Sequence, residues 1–569
     1  MIKIETAKIN YRHNLLEVKS TAMLQEDILN NLNNDYKIAC ILDEFSYKSF
    51  QYESRFIQLD PDDWEEIMLR EQPHLLFVES AWKGKELKWG NKIGGLNISQ
   101  DRNLRELVKW CREHNMPTVF WNKEDPSNFD HFIEAAKYFD FIFTTDINSI
   151  PRYKEIIGHD RVFVLMFAAQ PRLHNPINRD REKIGKVAFA GTWYNQKHDN
   201  RGKELQLLLT PALEYDLHIY DRMFEFKYKD YLFPDIYHHC IKGFLAYNEM
   251  IHTYKKYRVF LNVNSVSDSP TMFSRRVFEL LACGTAVISN YSIGIEKLFP
   301  GLVKLCRTEN DTRQYLQELL DDEEYLDRLA LKAQREVFSQ HTYKHRLNQV
   351  LDTIGLTPQK HISPGVSIIS ICHSKKLLEQ VANNFFRQYY ARKELIIILP
   401  QFDNDENITM WEGKISTQKN IFLLRPRPDI TPEEQVNLAL EIAQFPYISC
   451  FSADDYYAPN FLVDLMSAFD YTDADAVGKS SYYSSMGDTL GLNNVRMENQ
   501  YVDYLWGSAM VVKRELFDNL NHNCRSCLEH KKISKEYFSE ETKLYSTDRF
   551  NYICQPQSLL KTDIEQVCI

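Results

Sequence analysis

The chain has 569 residues, 44% hydrophobic and 26% charged, the balance of a folded protein rather than a disordered one. Its formal net charge of -11 argues against a nucleic-acid partner, which requires a basic face. There is no run of 18 apolar residues to span a membrane and no apolar signal region in MIKIETAKINYRHN. The 11 cysteines lack framework spacing and suit a reducing compartment, so a cytoplasmic location is expected.

At roughly 100–200 residues per domain, the length predicts three or four units. Residues 1–35 are polar and read as a helical extension. From Lys37 the pattern changes. KIACILDEF reads as a buried strand, DPDDWEEIMLREQ as a helix with an acidic start and HLLFVES as a second strand. Leu104, Leu107, Val108 and Cys111 fall on one face of the next helix. PTVFWNKEDP, FDFIFTTD and RVFVLMF complete a strand–helix alternation that predicts a parallel, doubly wound sheet. A second α/β lobe begins near Lys186 with KVAFAGTWY, LHIYDR, RVFLNVN, a helix over Ser274–Ala282 and TAVISNY. Two such lobes leave a cleft at the carboxyl ends of their strands.

A charged helical stretch over Asp311–Val350 and the linker TPQKHISPG lead to a third unit that opens with VSIISICHS. The boundaries expected are 1–35 for the extension, 36–182 and 183–350 for the two lobes, 351–364 for the linker and 365–569 for the third unit. The composition shift near Ser363 predicts that the halves separate there.

Chemistry is expected first in SPTMFSRRVFELLACGTAVISNY, which sets Arg275, Arg276 and Glu279 in the first turns of a helix. Arginines there can fork onto a diphosphate, and the helix start itself favours anions. Glu279 can accept from a ribose diol. Gly191 and Thr192, closing a strand, can offer backbone N–H groups to phosphate. By spacing alone the same residues equally suit a solvated helix face with intrahelical pairs. On the other lobe, Glu79, Glu124 and Asp125 end strands and could take the proton of an acceptor hydroxyl. Glu124 and Asp125 equally suit capping of the following helix. In the third unit, Asp454 and Asp455 of FSADDYYAP could hold a divalent cation against a diphosphate, or cap a helix. His522, Cys524, Cys527 and His530 contain a Cys-x-x-Cys spacing suited to zinc, without a second well-spaced pair. Trp193 is a candidate for stacking on a sugar ring.

VESAW, FWNKEDP, FIFTTD, AFAGTWY, IYDR and SRRVFELLACGTAVISNY resemble the spore-maturation-protein-B-like (CgeB-like) glycosyltransferases over about Lys37–Val350. The resemblance implies a GT-B fold with the nucleotide-sugar donor in the second lobe, Arg276 on the donor diphosphate and Glu279 on the ribose; Arg222 and Arg275 are further donor-binding candidates. Thr271 stands where many retaining GT-B enzymes carry a further Glu. The stretch from Val366 to Tyr552 resembles family 2 glycosyltransferases of the GT-A fold. That implies a donor-binding Asp403, a metal on Asp454 and Asp455 with Ser452 replacing the motif's first Asp, and Asp548 of TDRF as the base.

The expected architecture is therefore α/β: two Rossmann-like GT-B lobes followed by a GT-A-like domain. The expected activity is transfer of a sugar from a nucleoside-diphosphate donor to a hydroxyl acceptor in cell-envelope or spore-surface glycan synthesis. Mn²⁺ or Mg²⁺ would serve the GT-A-like domain, and peripheral membrane association stays compatible. The alternatives are a glycan-binding or scaffold protein that has lost turnover, and a nucleotide-sugar epimerase.

Overall fold

The computed structural model describes residues 35–96, 102–181, 183–194, 201–226, 229–357, 363–400, 420–427, 429–518, 531–556 and 559–569. The expected N-terminal helix, Asp403 and the His522–His530 cluster lie outside them.

The first sheet is six-stranded and parallel: β1 (Lys37–Ile41), β2 (Arg55–Gln58), β3 (Leu75–Glu79), β4 (Thr118–Asn122), β5 (Phe141–Thr144) and β6 (Val162–Val164), in the order β2-β1-β3-β4-β5-β6. β3 and β4 are buried along their whole length, as parallel strands covered by helices on both faces must be. The helix over Asn103–Glu113 buries Leu104, Leu107, Val108 and Cys111, the face its periodicity predicts. The second sheet is also parallel: β7 (Gly185–Gly191), β8 (Leu217–Asp221), β9 (Ile241–Gly243), β10 (Tyr257–Asn262), β11 (Ala286–Asn290) and β12 (Lys304–Cys306), in the order β12-β11-β10-β7-β8-β9. The sequence pattern misses β2, β9 and β12. Each has three or four residues and lies at or next to a sheet edge, so none carries a long apolar run.

Both sheets reverse their winding direction in the middle. The chain runs from β1 out to β2 and crosses back to β3 on the other side of β1. It likewise runs from β7 through β8 to β9 and crosses back to β10 on the other side of β7. Such reversals open a crevice at the carboxyl ends of the flanking strands, where ligands bind in open α/β sheets.

The helices that matter below are α1 (Glu44–Phe50), α2 (Phe129–Ala136), α3 (Tyr247–Tyr254), α4 (Arg276–Ala282), α5 (Glu323–Gln340), α6 (Tyr343–Ile354) and α7 (Phe461–Tyr471). α6 follows the second lobe in sequence but packs on the first: Tyr343 meets Phe50 ring-to-ring at 4.7 Å, and the Arg346 guanidinium donates to the carbonyls of Met166 and Phe167.

The third unit holds β13 (Val366–Ile371), β14 (Lys393–Ile398), β15 (Ile421–Leu424), β16 (Tyr447–Cys450), β17 (Tyr456–Tyr457), β18 (Ala476–Gly478), β19 (Tyr482–Met486), β20 (Thr489–Asn493), β21 (Gln500–Val502), β22 (Tyr504–Trp506), β23 (Met510–Lys513), β24 (Lys532–Ser534), β25 (Leu544–Ser546) and β26 (Tyr552–Cys554). Its main sheet runs β15-β14-β13-β16-β23-β18-β25-β21, parallel from β15 to β16, antiparallel through β23 to β18, parallel between β18 and β25 and antiparallel again to β21. The chain is thus α/β throughout: two Rossmann-like lobes and a GT-A-like mixed sheet.

More than a linker joins the third unit to the lobes. Arg335 of α5 grips Asp464 of α7 with two bonds of 2.8 and 3.0 Å and also donates to the carbonyl of Ile569. Asp327 of α5 takes Arg179, from the inter-lobe connection, at 2.6 Å and Arg549, from the third unit, at 2.9 Å. The backbone N–H of Asn178 donates to the carbonyl of Asn499 at 2.6 Å. Leu331 of α5 packs into a cluster with Tyr483, Phe550, Ile553 and Val567.

Candidate active site

The cleft is built from the carboxyl ends of the two parallel sheets. On the first lobe, three strand ends meet. Glu79, the last residue of β3, is fully buried and accepts from Lys123 Nζ at 2.9 Å, the Asp43 N–H at 2.6 Å and the Ser46 hydroxyl at 2.6 Å. Lys123, just past β4, is 3% exposed and also pairs with Asp43 at 2.9 Å. Burial pushes the Glu79 carboxyl up, with Lys123 opposing that shift. Burial would also raise Asp43, but the Lys123 charge and the hydrogen bonds from Lys123, Gly84 and Lys83 together outweigh it and hold that carboxyl below its usual range. Asp43 then accepts three consecutive backbone N–H groups, of Trp82, Lys83 and Gly84, at 3.2, 3.1 and 2.9 Å.

Phe45 of α1 is one of the contacts between the lobes. Lys123 lies 4.1 Å from its ring centroid, and the guanidinium of Arg275, from the second lobe, lies 3.7 Å from it. Arg275 Nε in turn pairs with Glu279 Oε1 at 2.8 Å. Glu279 is 1% exposed. It also accepts from Tyr254 at 3.0 Å and Tyr247 at 3.3 Å, with His174 Nε2 3.6 Å away. Burial raises Glu279, Arg275 lowers it, and the net result is a carboxyl below its usual range. Burial takes the His174 ring down to about 4.

At the reversal of the second sheet the chemistry is different. Arg276 donates from Nη1 to the carbonyl of Ala190 at 2.6 Å, and its buried Nε has no partner. Arg201 donates to the hydroxyl of Ser265, and its own Nε has none. Arg222, solvent-exposed just beyond β8 but closely surrounded, is held below the usual guanidinium range by desolvation and then by the Arg276 charge. Arg201 is lowered by desolvation and, behind it, by the charges of Arg222 and Arg276. Among the described residues none of these three arginines forms an ion pair. The Thr192 hydroxyl, 3% exposed, is likewise without a partner. Further orphans, the buried Asn262 Oδ1, Ser292 Oγ and Thr145 Oγ1, stand at or just past the ends of β10, β11 and β5. Unsatisfied buried polar atoms are rare in folded proteins, and a concentration of them at strand ends marks where a ligand or water completes the structure. A Cβ on Gly191 would stand 2.7 Å from the Phe189 ring, so a side chain at that strand end would displace the ring.

The sequence-predicted residues separate accordingly. Gly191, Thr192, Arg222 and Arg276 gather at the second-lobe crevice. Arg275 and Glu279 pair with each other beside it. Arg201, absent from the prediction, joins the cluster because the helix over Arg201–Ala212 begins beside Ser265; its spacing gives no such signal. Asp125 is fully buried. Its carboxyl takes Asn122 at 2.7 Å, Thr144 at 2.6 Å and Tyr153 at 2.9 Å, and burial raises its pKa to about 7. Glu124 is half-buried and accepts from Asn128 at 3.0 Å. Trp193 is core, packed against Phe233 and Tyr237. Thr271 ties the lobes together: its hydroxyl donates to the carbonyl of Thr145 at 2.8 Å and accepts the Ile147 N–H at 2.9 Å.

In the third unit, Asp455 is 4% exposed and accepts from the Tyr552 hydroxyl at 2.6 Å and the Gln555 N–H at 3.0 Å. Asp454, half-buried beside it, has its N–H on the Ser452 hydroxyl at 3.4 Å. Among the described residues no group of three His, Cys, Asp or Glu side chains is arranged to hold a metal ion. With Ser452 in place of a carboxylate and Asp455 already bonded, those residues do not fit a divalent cation on their own. Asp548 lies against the α5 seam, 9% exposed, its carboxylate paired with the buried Lys479 at 3.1 Å and accepting the Phe550 N–H at 2.8 Å.

Two protein-family models match, and both describe sugar transferases. One is a glycosyl transferase-like family over residues 200–352, and the other is glycosyl transferase family 2 over residues 367–538. The chain is therefore similar to glycosyltransferases in both its second lobe and its third unit. No curated protein sequence matches. Among solved structures the chain is similar to S. aureus TarS 1–349, with 15% identity and a TM-score of 0.27, over 34% of this chain and 61% of that one. It is similar to the sucrose-phosphate synthase of Thermosynechococcus elongatus with 10% identity and a TM-score of 0.35, over 52% and 76%. It is similar to a glycosyltransferase from Rickettsia africae with 11% identity and a TM-score of 0.36, over 56% and 97%. It thus spans less than two thirds of the TarS structure. Among the described residues no helix is long and apolar enough to cross a membrane.

Proposed function

We propose that the two-lobed unit transfers a sugar from a nucleoside-diphosphate donor to a hydroxyl acceptor, with the donor diphosphate in the second-lobe crevice. The observation that carries this is the set of Arg201, Arg222 and Arg276. These are three like charges without an ion pair among the described residues, beside the unpartnered Thr192 hydroxyl. Such a set costs stability unless an anion completes it, and a diphosphate supplies two charges and several acceptor oxygens in the geometry guanidinium groups favour. Glu279, with Arg275 beside it, is the ribose-side carboxylate. The domains in this proposal are 36–182, 183–350 and 365–569, and the acceptor belongs on the first lobe. A CgeB-like subtype and a cell-envelope or spore-surface acceptor remain parts of the proposal that rest on sequence resemblance alone.

The acceptor's proton needs a carboxylate. Glu124 has the exposure for that, whereas Asp125 reaches an acceptor only if the shell of Asn122, Thr144 and Tyr153 opens. For the family 2 domain a second reading has its own support: it acts as a docking or glycan-binding module without turnover. Asp455 and Asp548, two of the three carboxylates that transfer would need (Asp454 is the third), are both engaged by protein donors.

Thermal-shift and calorimetric titration with UDP, GDP, CDP and dTDP sugars tests the donor site. At least one should stabilise the protein, and Arg276→Ala should weaken it about tenfold or more. Unchanged affinity in a folded Arg276→Ala variant would remove the diphosphate from this crevice.

A further inference from the structure

We propose that Trp82 is a pyranose-stacking platform, the sugar-binding floor of the first-lobe crevice. This rests on the proposed sugar transfer and adds the residue that receives the acceptor ring.

Among the described residues Trp82 is the most exposed tryptophan, with 44% of its surface open. An exposed indole on a strained loop needs an explanation, because burying it is worth more than any other side chain of similar polarity. The indole does not wave in solvent. One face is covered by the imidazole of His131 on α2, centroids 5.0 Å apart and planes 18° from parallel, and Phe132 meets it edge-on at 5.3 Å. His131 is itself fixed by the backbone beside it: a Cβ on Gly94 would lie 2.2 Å from its Nε2, and its carbonyl accepts the Gly95 N–H at 2.9 Å.

The Trp82 backbone is held just as firmly. Its N–H and the next two converge on the one carboxylate of Asp43, which Lys123 anchors from below. The loop accepts left-handed backbone at Gly84, Glu86 and Leu87, with φ of +63°, +50° and +68°, to keep this course. Asp43 follows β1 and Trp82 follows β3, so the platform stands at the reversal of the first sheet, where the fold opens a crevice. A half-covered indole beside polar groups suits a pyranose, whose C–H face is apolar and whose rim is all hydroxyl. Across the cleft, through Phe45, lie Arg275 and the second-lobe crevice, so a ring on Trp82 would sit on the acceptor side.

The test uses the full chain and saturation-transfer NMR with millimolar methyl pyranosides of glucose, galactose, mannose, N-acetylglucosamine and N-acetylgalactosamine. At least one should show contact through its ring C–H protons, Trp82→Ala should weaken that contact about tenfold or more, and Trp82→Phe should retain part of it. Nucleotide-sugar thermal shifts should be unchanged in both variants. No saturation transfer to any pyranoside in the wild type, or equal transfer in a folded Trp82→Ala variant, overturns the assignment. A nucleotide response in the wild type together with no pyranoside contact would leave the donor site intact and this platform wrong; absence of any nucleotide response in the wild type would strike the transfer proposal instead.

Discussion

The two crevices of the cleft have the same topology and opposite electrostatics. At the first-sheet reversal the buried charged groups are engaged: Lys123 bridges Asp43 and Glu79, and both carboxyl groups also accept from backbone or hydroxyl donors. At the second-sheet reversal three guanidinium groups crowd together and buried donors and acceptors go unmet. Position in the fold is therefore not what makes a crevice a charge-binding site. The first is a finished piece of scaffold that presents a surface, and the second leaves buried polar groups unmet, which is the feature on which the proposed donor site rests. The same contrast holds inside the third unit, where Asp455 and Asp548 follow the first pattern.

Substitution at the finished end should be the most damaging. Lys123→Ala leaves the fully buried Glu79 without its cation, and breaking a buried pair from one side costs about 3–5 kcal/mol. Chemical denaturation should record that loss, while Arg276→Ala at the unfinished end should change stability by no more than about 1 kcal/mol despite its effect on the donor. Equal losses in the two variants would erase the distinction.

The α5 seam should behave as finished scaffold too. Arg335→Ala strips the doubly bonded Asp464, 6% exposed, of its cation and the last residue of its donor, at about 3 kcal/mol. Calorimetry should show one melting transition in the wild type and a broadened or split one in the variant, as the third unit uncouples from the lobes. A variant that melts like the wild type would mean that the halves are as separable as the linker composition suggests.

The smallest effect comes from pH, at His174 beside Glu279. Its folded pKa of about 4 lies below the ordinary value of 6.5, because burial disfavours the charged ring. The stability gained by keeping it neutral is complete above pH 6.5 and is lost as pH falls towards 4. Between pH 7 and pH 5 this group should account for a loss of about 1–2 kcal/mol. His174→Gln should flatten the fall in denaturation midpoint over that range, and an unchanged slope would place the acid sensitivity elsewhere.

The sequence by itself determined the elements and their order. Alternating strand and helix patterns name two parallel sheets and a third α/β unit, because periodicity and turn residues are local properties. It also placed Arg276 and Glu279 one turn apart on a helix start, and set Gly191 at a strand end. Tertiary structure alone decided which charges meet. Arg201 and Arg276 are 75 positions apart, yet share a crevice because β7 and β10 are neighbours in the sheet. Lys123 finds Glu79 because β3 and β4 lie side by side, and Asp125, two residues along from Lys123, turns into the core instead of the cleft. Thr271 becomes a tie to the other lobe, and Asp548 a seam residue. The free energy of a charge depends on its burial and on its nearest opposite charge, and neither is written in the spacing of residues along the chain.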